Sequence, residues 1–156
     1  VASSKTNEMA KKFWHFVTQK YNQNAVLPTV QAGDCTPLKQ HSDEQDTFII
    51  VELRKQIFVD GITIEYIQSN LLINRTQSAP REMSIEVSED GHVYNDVLAS
   101  NKQSVFVYDP TRDGAQKYYT FKPGTKHQYK FVKLNILSNH GGDYTCLYRI
   151  QVHGRA

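Results

Sequence analysis

The sequence predicts a mainly β protein: a compact β-sandwich with one short helix at its front. Three observations carry that expectation. Short segments rich in β-branched and aromatic residues follow one another from Thr47 to the end, turn pairs at Asp90-Gly91, Asp113-Gly114 and Pro123-Gly124 punctuate them, and helical spacing of apolar residues is confined to the first twenty positions.

The front comes first. Met9, Phe13, Phe16 and Val17 stand at the i, i+4, i+7, i+8 spacing of an amphipathic helix, with Lys11, Lys12 and Lys20 mostly on other faces. Residues 1–21 are therefore expected to form a helical segment and residues 22–154 the β domain. From about Asn22 to Asp46 the periodicity dissolves around Pro28, Gly33 and Pro37, so an irregular loop is expected there, and loops of that length are usually functional or tethered. Strands are expected over Phe48–Leu53, Ile57–Val59 and Ile62–Ile67, with Asp60-Gly61 turning a hairpin between the last two. Further strands follow at Met83–Val87, His92–Leu98, Ser104–Tyr108, Lys117–Phe121, Tyr129–Leu137 and Tyr144–Val152. Alternation is clearest where Val132, Leu134 and Ile136 oppose Phe131, Lys133 and Asn135.

Composition narrows the function. The 156 residues suit one domain with a single core. At 39% hydrophobic and 22% charged residues the chain has a globular composition, and no apolar run approaches the roughly 20 residues of a membrane span. No basic stretch followed by an apolar block opens it, as a secretory signal would, and a fragment of a longer protein would read the same. The net charge of +2 arises from 18 basic and 16 acidic residues mixed along the chain, without the basic stripe that grips nucleic acid. His15, His41, His92, His127, His140 and His153 never pair at metal-ligand spacing. No nucleophile elbow, phosphate loop or dinucleotide fingerprint occurs, and Ser88-Glu89-Asp90 reads as the approach to a turn, so no enzyme is expected. Cys35 and Cys146 are the only cysteines, and their spacing leaves a disulfide and two unpaired core thiols both open. The sequon Asn74-Arg75-Thr76 is compatible with an oxidising lumen.

The informative segment is the last one, FVKLNILSNHGGDYTCLYRIQVHG, from Phe131 to Gly154. It joins a strand, a glycine-containing loop at Asn139–Asp143 and a second strand on which the two-residue period puts Tyr144, Cys146 and Tyr148 on one face. Phenol hydroxyls so aligned are suited to donating hydrogen bonds to an anionic group such as a peptide's terminal carboxylate, while their rings bury apolar area. The plainer reading is a pair of tyrosines packed at a sandwich edge.

The stretch from Ser138 to Gly154 resembles the C-terminal signature of SUN domains, SNWGxPxYTCIYRFRVHG. Ser78-Ala79-Pro80-Arg81-Glu82-Met83-Ser84-Ile85 is similar to that family's SAPKDFxI element, and Ala32-Gly33-Asp34-Cys35 to its PGNC. The likeness runs over roughly residues 24 to 154.

The resemblance implies a luminal domain of an inner nuclear membrane protein, in the perinuclear space of the nuclear envelope. Such domains trimerise above a coiled coil and bind the C-terminal tail of a KASH protein in the LINC bridge between nucleoskeleton and cytoskeleton. It implies that Cys35 pairs with Cys146, and that the loop around Asn24, Leu27, Thr29 and Asp34 holds a monovalent cation, K+, through backbone carbonyls. Gln68, Ser69, Asn70, Leu71, Leu72, Ile73, Asn74, Arg75, Thr76 and Gln77 match the family's lid, a β-hairpin that adds the partner peptide to its edge. Leu71, Leu72 and Ile73 cannot all face one way in a strand, so at least one should point outward. Ser78, Tyr144 and Tyr148 match the pocket for the peptide's terminal carboxylate, with Tyr66 beside them in Glu65-Tyr66-Ile67, where better-known members carry a histidine.

The chain also departs from the pattern. His140 replaces a tryptophan, the Asn139–Asp143 loop is one residue shorter and lacks its proline, and no cysteine precedes Cys35 to bond the partner covalently. Against the KASH-binding reading stands a SUN-like or galactose-binding-like luminal sandwich acting in protein folding or glycan recognition. A SAP-flanked lid together with Tyr-x-Cys-x-Tyr favours the first.

Overall fold

The computed structural model describes residues 2–3, 35–39, 46–67, 76–98 and 104–156. Ten strands are defined there: β1 (Ala2–Ser3), β2 (Thr36–Lys39), β3 (Phe48–Glu65), β4 (Glu82–Ser88), β5 (Asn95–Asp96), β6 (Val105–Val107), β7 (Gln116–Thr120), β8 (Gln128–Ile136), β9 (Tyr144–Leu147) and β10 (Arg149–Arg155). A 3₁₀ turn covers Thr76–Ser78 and a one-turn helix, α1, covers Pro110–Asp113.

The organising element is β3, 18 residues long. Its first half pairs antiparallel with β8, which pairs in turn with β4, and β4 carries β5 and β6. Its second half lies between β7 and β10. The ladder to β8 shifts register between Glu52 and Ile57 and ends at Phe58, where pairing with β10 begins, and from Gly61 the strand pairs with β7 as well. Ile62, Ile64 and Tyr119 of the layer so formed line the same interlayer gap as Met83, Ile85, Phe106 and Leu134 of the first. Two layers thus share one core, and the sandwich expected from the strand pattern is the fold found. A separate two-stranded sheet joins β2 to β9, pairing Pro37 with Cys146 and Lys39 with Tyr144.

Packing follows the alternation. Met83, Ile85 and Val87 of β4 and Val132, Leu134 and Ile136 of β8 are all buried, each contributing about 1.5–3 kcal/mol through removal from water. On the other side of β8 the Lys133 ammonium lies 2.9 Å from Glu86 and 4.7 Å from the centre of the Phe48 ring. Asn135, although buried, donates through Nδ2 to Ser84 Oγ at 3.1 Å and to Glu86 Oε2 at 3.0 Å, so its desolvated amide is satisfied.

Several expectations change. Asp60 and Gly61 do not turn a hairpin; Gly61 is an interior residue of β3, opposite both Thr120 and His153. Its lack of a side chain serves close approach: a Cβ would stand 2.6 Å from the Tyr118 ring and from the Tyr119 carbonyl oxygen. His92–Leu98 yields only the two-residue β5, because the Asp90 carboxylate accepts from the amides of His92 at 2.8 Å and Val93 at 3.1 Å and folds that stretch into a turn. Tyr144–Val152 is not one strand but two, interrupted at Tyr148. Helix is not confined to the front, since Asp109 caps α1 by accepting from the Thr111 amide, with Pro110 in the first helical position. The helix expected around Met9, Phe13, Phe16 and Val17 lies outside the described residues.

Candidate functional site

Three segments meet at one end of the molecule. Tyr66 follows the end of β3, Ser78 ends the 3₁₀ turn, and Tyr144 and Tyr148 bracket β9. The Tyr66 hydroxyl and Ser78 Oγ are 2.9 Å apart, a good O–H···O hydrogen bond. The Tyr148 ring meets the Tyr66 ring edge-on, with centroids 5.0 Å apart and planes at 87°, the arrangement that sets a positive ring edge against a negative face. Tyr66 and Tyr148 are 3% and 6% exposed, whereas Tyr144 is 51% exposed and forms the open lip.

Burial raises the pKa of Tyr66 above that of an ordinary phenol; the Ser78 hydrogen bond opposes the rise, and the neighbouring Tyr148 and Tyr144 add to it. At neutral pH Tyr66 is therefore an uncharged hydroxyl. With Ser78, Tyr144 and Tyr148 it makes a cluster of hydroxyl groups backed by apolar rings, an arrangement able to donate to an anionic oxygen.

The position of Ser78 is set from below. Its turn closes through the Ala79 amide, which donates to the Thr76 carbonyl at 3.0 Å, and Pro80 bridges to Asn139. The Asn139–Asp143 loop then clasps it. The Gly142 amide donates to the Gln77 carbonyl at 3.0 Å and the His140 amide to the Ala79 carbonyl at 3.3 Å. The loop keeps its own shape because Asn139 donates from Nδ2 to the Gly142 carbonyl and accepts the Gly141 amide at Oδ1, both at 2.9 Å. His140, in the tryptophan position of the signature, is 2.7 Å through Nε2 from the Tyr108 carbonyl. A Cβ on Gly142 would stand 3.0 Å from the Gln77 carbonyl oxygen and 3.2 Å from Ser78 Cα, so the glycine permits the loop to lie against the turn.

Cys35 and Cys146 form a disulfide, with Cα atoms 5.4 Å apart and a sequence separation of 111. It fastens the start of β2 to β9, the strand that carries Tyr144 and leads into Tyr148.

The structure therefore brings Tyr66, Ser78 and Tyr148 together, with Tyr144 at the rim. It alters one expectation: Thr76 and Gln77 belong to the 3₁₀ turn rather than to a hairpin strand. Gln68, Ser69, Asn70, Leu71, Leu72, Ile73, Asn74 and Arg75 of the expected lid lie outside the described residues, as do Asn24, Leu27, Thr29 and Asp34 of the expected cation loop. Sequence reasoning missed Asn139, His140 and Gly142 as supports of Ser78. The turn-forming composition Asn-His-Gly-Gly-Asp was the available signal for a loop there, but not for what the loop holds.

The architecture is a two-layer antiparallel sandwich with a hydroxyl cluster where three of its segments meet. Among solved structures, an F5/8 type C domain from Bacteroides fragilis superposes with a TM-score of 0.69 at 12% identity, covering 99% of this chain and 89% of that one. A family 32 carbohydrate-binding module (CBM32-3) of a Clostridium perfringens family 31 glycoside hydrolase gives 0.64 at 14% identity over 99% and 89%. These likenesses are of fold alone. The model of the Sad1/UNC-like C-terminal family matches residues 8–156, and the chain belongs to that family. Its relatives include the Klaroid protein of Drosophila melanogaster, 31% identical over 84% of this chain and 13% of that protein. SUN domain-containing protein 2 of Mus musculus is 32% identical over 83% and 17%. The chain thus spans less than a fifth of the length of these two relatives.

Proposed function

We propose that this chain binds the C-terminal tail of a KASH protein and reads its terminal carboxylate with Ser78, Tyr66, Tyr144 and Tyr148. The observation that carries the reading is the convergence of Tyr66, Ser78 and Tyr148, distant in sequence, into one hydrogen-bonded and ring-packed group with Tyr144 exposed beside it. Neutral hydroxyls suit a carboxylate, which accepts several O–H donors at once, and hydrogen bonds to a charged acceptor are about twice as strong as neutral ones. The same proposal includes residues 68–77 as the lid and a monovalent cation held by carbonyls of the loop before Cys35. It also includes a homotrimer joined by an upstream coiled coil, and a place in the perinuclear space within the LINC complex.

The alternative, a glycan-recognising sandwich, draws on fold neighbours such as the module from Clostridium perfringens solved with GalNAc-β-1,3-galactose, which is 18% identical. Family membership favours the KASH reading, because it extends over nearly the whole chain.

The test is calorimetric titration of the wild-type chain and Tyr148→Phe with a synthetic KASH C-terminal peptide as free acid, as amide and extended by one residue. Amidation, extension and loss of the Tyr148 hydroxyl should each weaken binding by about one to two decades. Equal affinity for all three peptides would overturn the carboxylate reading.

A further inference from the structure

Away from the hydroxyl cluster, a cleft of about 550 Å³ opens between the turn Asn95–Leu98 and the loop Lys122–His127, with Tyr129 also in its lining. Its size falls within the range of small-ligand sites. Both walls are held by the fold.

The loop Lys122–His127 connects β7 to β8 and is fastened at its centre. The Thr125 amide donates to the Val59 carbonyl at 3.0 Å, the Val59 amide donates to Thr125 Oγ1 at 2.8 Å, and that hydroxyl donates onward to the His127 carbonyl at 2.9 Å. With Thr125 turned into the protein, Lys122, Lys126 and His127 remain exposed. The opposite wall is held by Asp96. Its Oδ1 accepts from the Leu98 amide at 2.9 Å and the Ser104 hydroxyl at 3.1 Å, and its Oδ2 accepts from the Ser104 amide at 2.8 Å. The Val97 amide donates to the Ile85 carbonyl at 3.1 Å.

Charge decides what such a cleft accepts. Among the described residues that line it Asp96 is the one carboxylate, with both oxygens engaged within their own wall, and the Asp60 carboxylate behind Gly124 is taken by Arg155. The two lysines differ from Lys117, Lys130, Lys133, Arg112, Arg149 and Arg155, each of which lies within 3.2 Å of a carboxylate oxygen. Lys122 and Lys126 have no such partner among the described residues. Among the described residues the cleft therefore offers ammonium groups and a histidine whose neighbouring carboxylates are already engaged, which favours an anion over a cation or a neutral polar ligand. Leu98, Pro123 and the Tyr129 ring add apolar surface beside those donors, and a bare inorganic ion would leave that surface unused.

We propose that this cleft is a second binding site, for a small organic anion in which a ring-sized body carries a phosphate or a carboxylate, with Lys122, Lys126 and His127 holding the anionic group. The site is separate from the KASH reading and stands without it.

The experiment titrates the isotopically labelled chain with glucose 6-phosphate, glucuronate, galactose and inorganic phosphate, following backbone amide shifts. The first two probes distinguish phosphate from carboxylate as the anionic group. Saturable shifts at Val97, Leu98, Thr125, Lys126 and His127 are expected with at least one of them, and galactose and inorganic phosphate should each bind about tenfold or more weakly. The double substitution Lys122→Ala/Lys126→Ala removes exposed side chains, so it should leave the melting temperature unchanged while weakening the preferred probe by about tenfold or more. Added salt should weaken binding as well. Absence of saturable shifts with both organic anions would overturn the proposal. So would unchanged affinity in the double variant, or inorganic phosphate binding as tightly as glucose 6-phosphate.

Discussion

The Tyr66 hydroxyl lies 2.9 Å from Ser78 Oγ, joining the end of the longest strand to a one-turn 3₁₀ segment twelve residues further along the chain. The bond orients Ser78, and the Tyr148 ring packed on Tyr66 keeps the phenol from rotating away. Tyr66→Phe removes only the oxygen. Stability should fall by about 1 kcal/mol in urea unfolding, since Ser78 is half-buried and regains water in exchange. Affinity for a free-acid KASH peptide should fall by about tenfold if Tyr66 orients the donor that the carboxylate meets. Unchanged affinity would reduce Tyr66 to a packing residue.

The Cys35–Cys146 link encloses 111 residues of sequence separation. In the chain-entropy treatment, closing so large a loop restricts the unfolded state and stabilises the fold by about 4–5 kcal/mol. Cys35→Ser/Cys146→Ser should lose most of that in equilibrium unfolding. Because β9 carries Tyr144 and leads to Tyr148, peptide affinity should fall with it. A double variant as stable as the wild type would show that the two-stranded sheet of β2 and β9 holds without the bridge.

Gly142 tests whether the loop beneath Ser78 matters to binding. An alanine there must displace the Gln77 carbonyl or the Ser78 backbone, which would lie 3.0 and 3.2 Å from its Cβ. Gly142→Ala should cost about 1 kcal/mol of stability through overpacking. Its larger effect should be on peptide binding, because the atom displaced belongs to a contact residue. Calorimetry alongside thermal unfolding separates the two, and a loss of stability with full affinity would sever the loop from the site.

Acid should unfold the domain through its carboxylates. Asp90 is held down to about 2 by the His92 and Val93 amides and the Ser88 hydroxyl. Asp113 is pulled further below the ordinary range by hydrogen bonding to Arg112 and by Lys117, and Asp60 is lowered by Arg155. A depressed folded-state pKa contributes stability that is present above the unfolded value of about 4 and lost as pH falls through the folded one. The urea midpoint should therefore hold from pH 7 to about 5 and decline between about 4 and 2. A midpoint that falls between pH 7 and 5 instead would implicate histidines rather than these carboxylates.

Much of this protein is written locally. The two-residue period of Val132, Leu134 and Ile136 determines which side of β8 is buried, since a strand with one apolar face has one low-energy orientation. The motifs around Ser78 and from Tyr144 to Tyr148 sufficed to name the family and to single out the hydroxyls. Tertiary structure decided what local pattern leaves open. Asp60-Gly61 has the composition of a turn, yet partners on both sides make it the interior of an 18-residue strand, because the hydrogen bonds of two ladders outweigh a dipeptide's preference. Tyr148 has the period of a strand residue, yet β9 and β10 belong to different sheets, and the chain must break between them. That break places Tyr148 against Tyr66, 82 positions away in the numbering. Their contact, and the bond from Tyr66 to Ser78, depend on three-dimensional closure of the sandwich, which no window of neighbouring residues encodes.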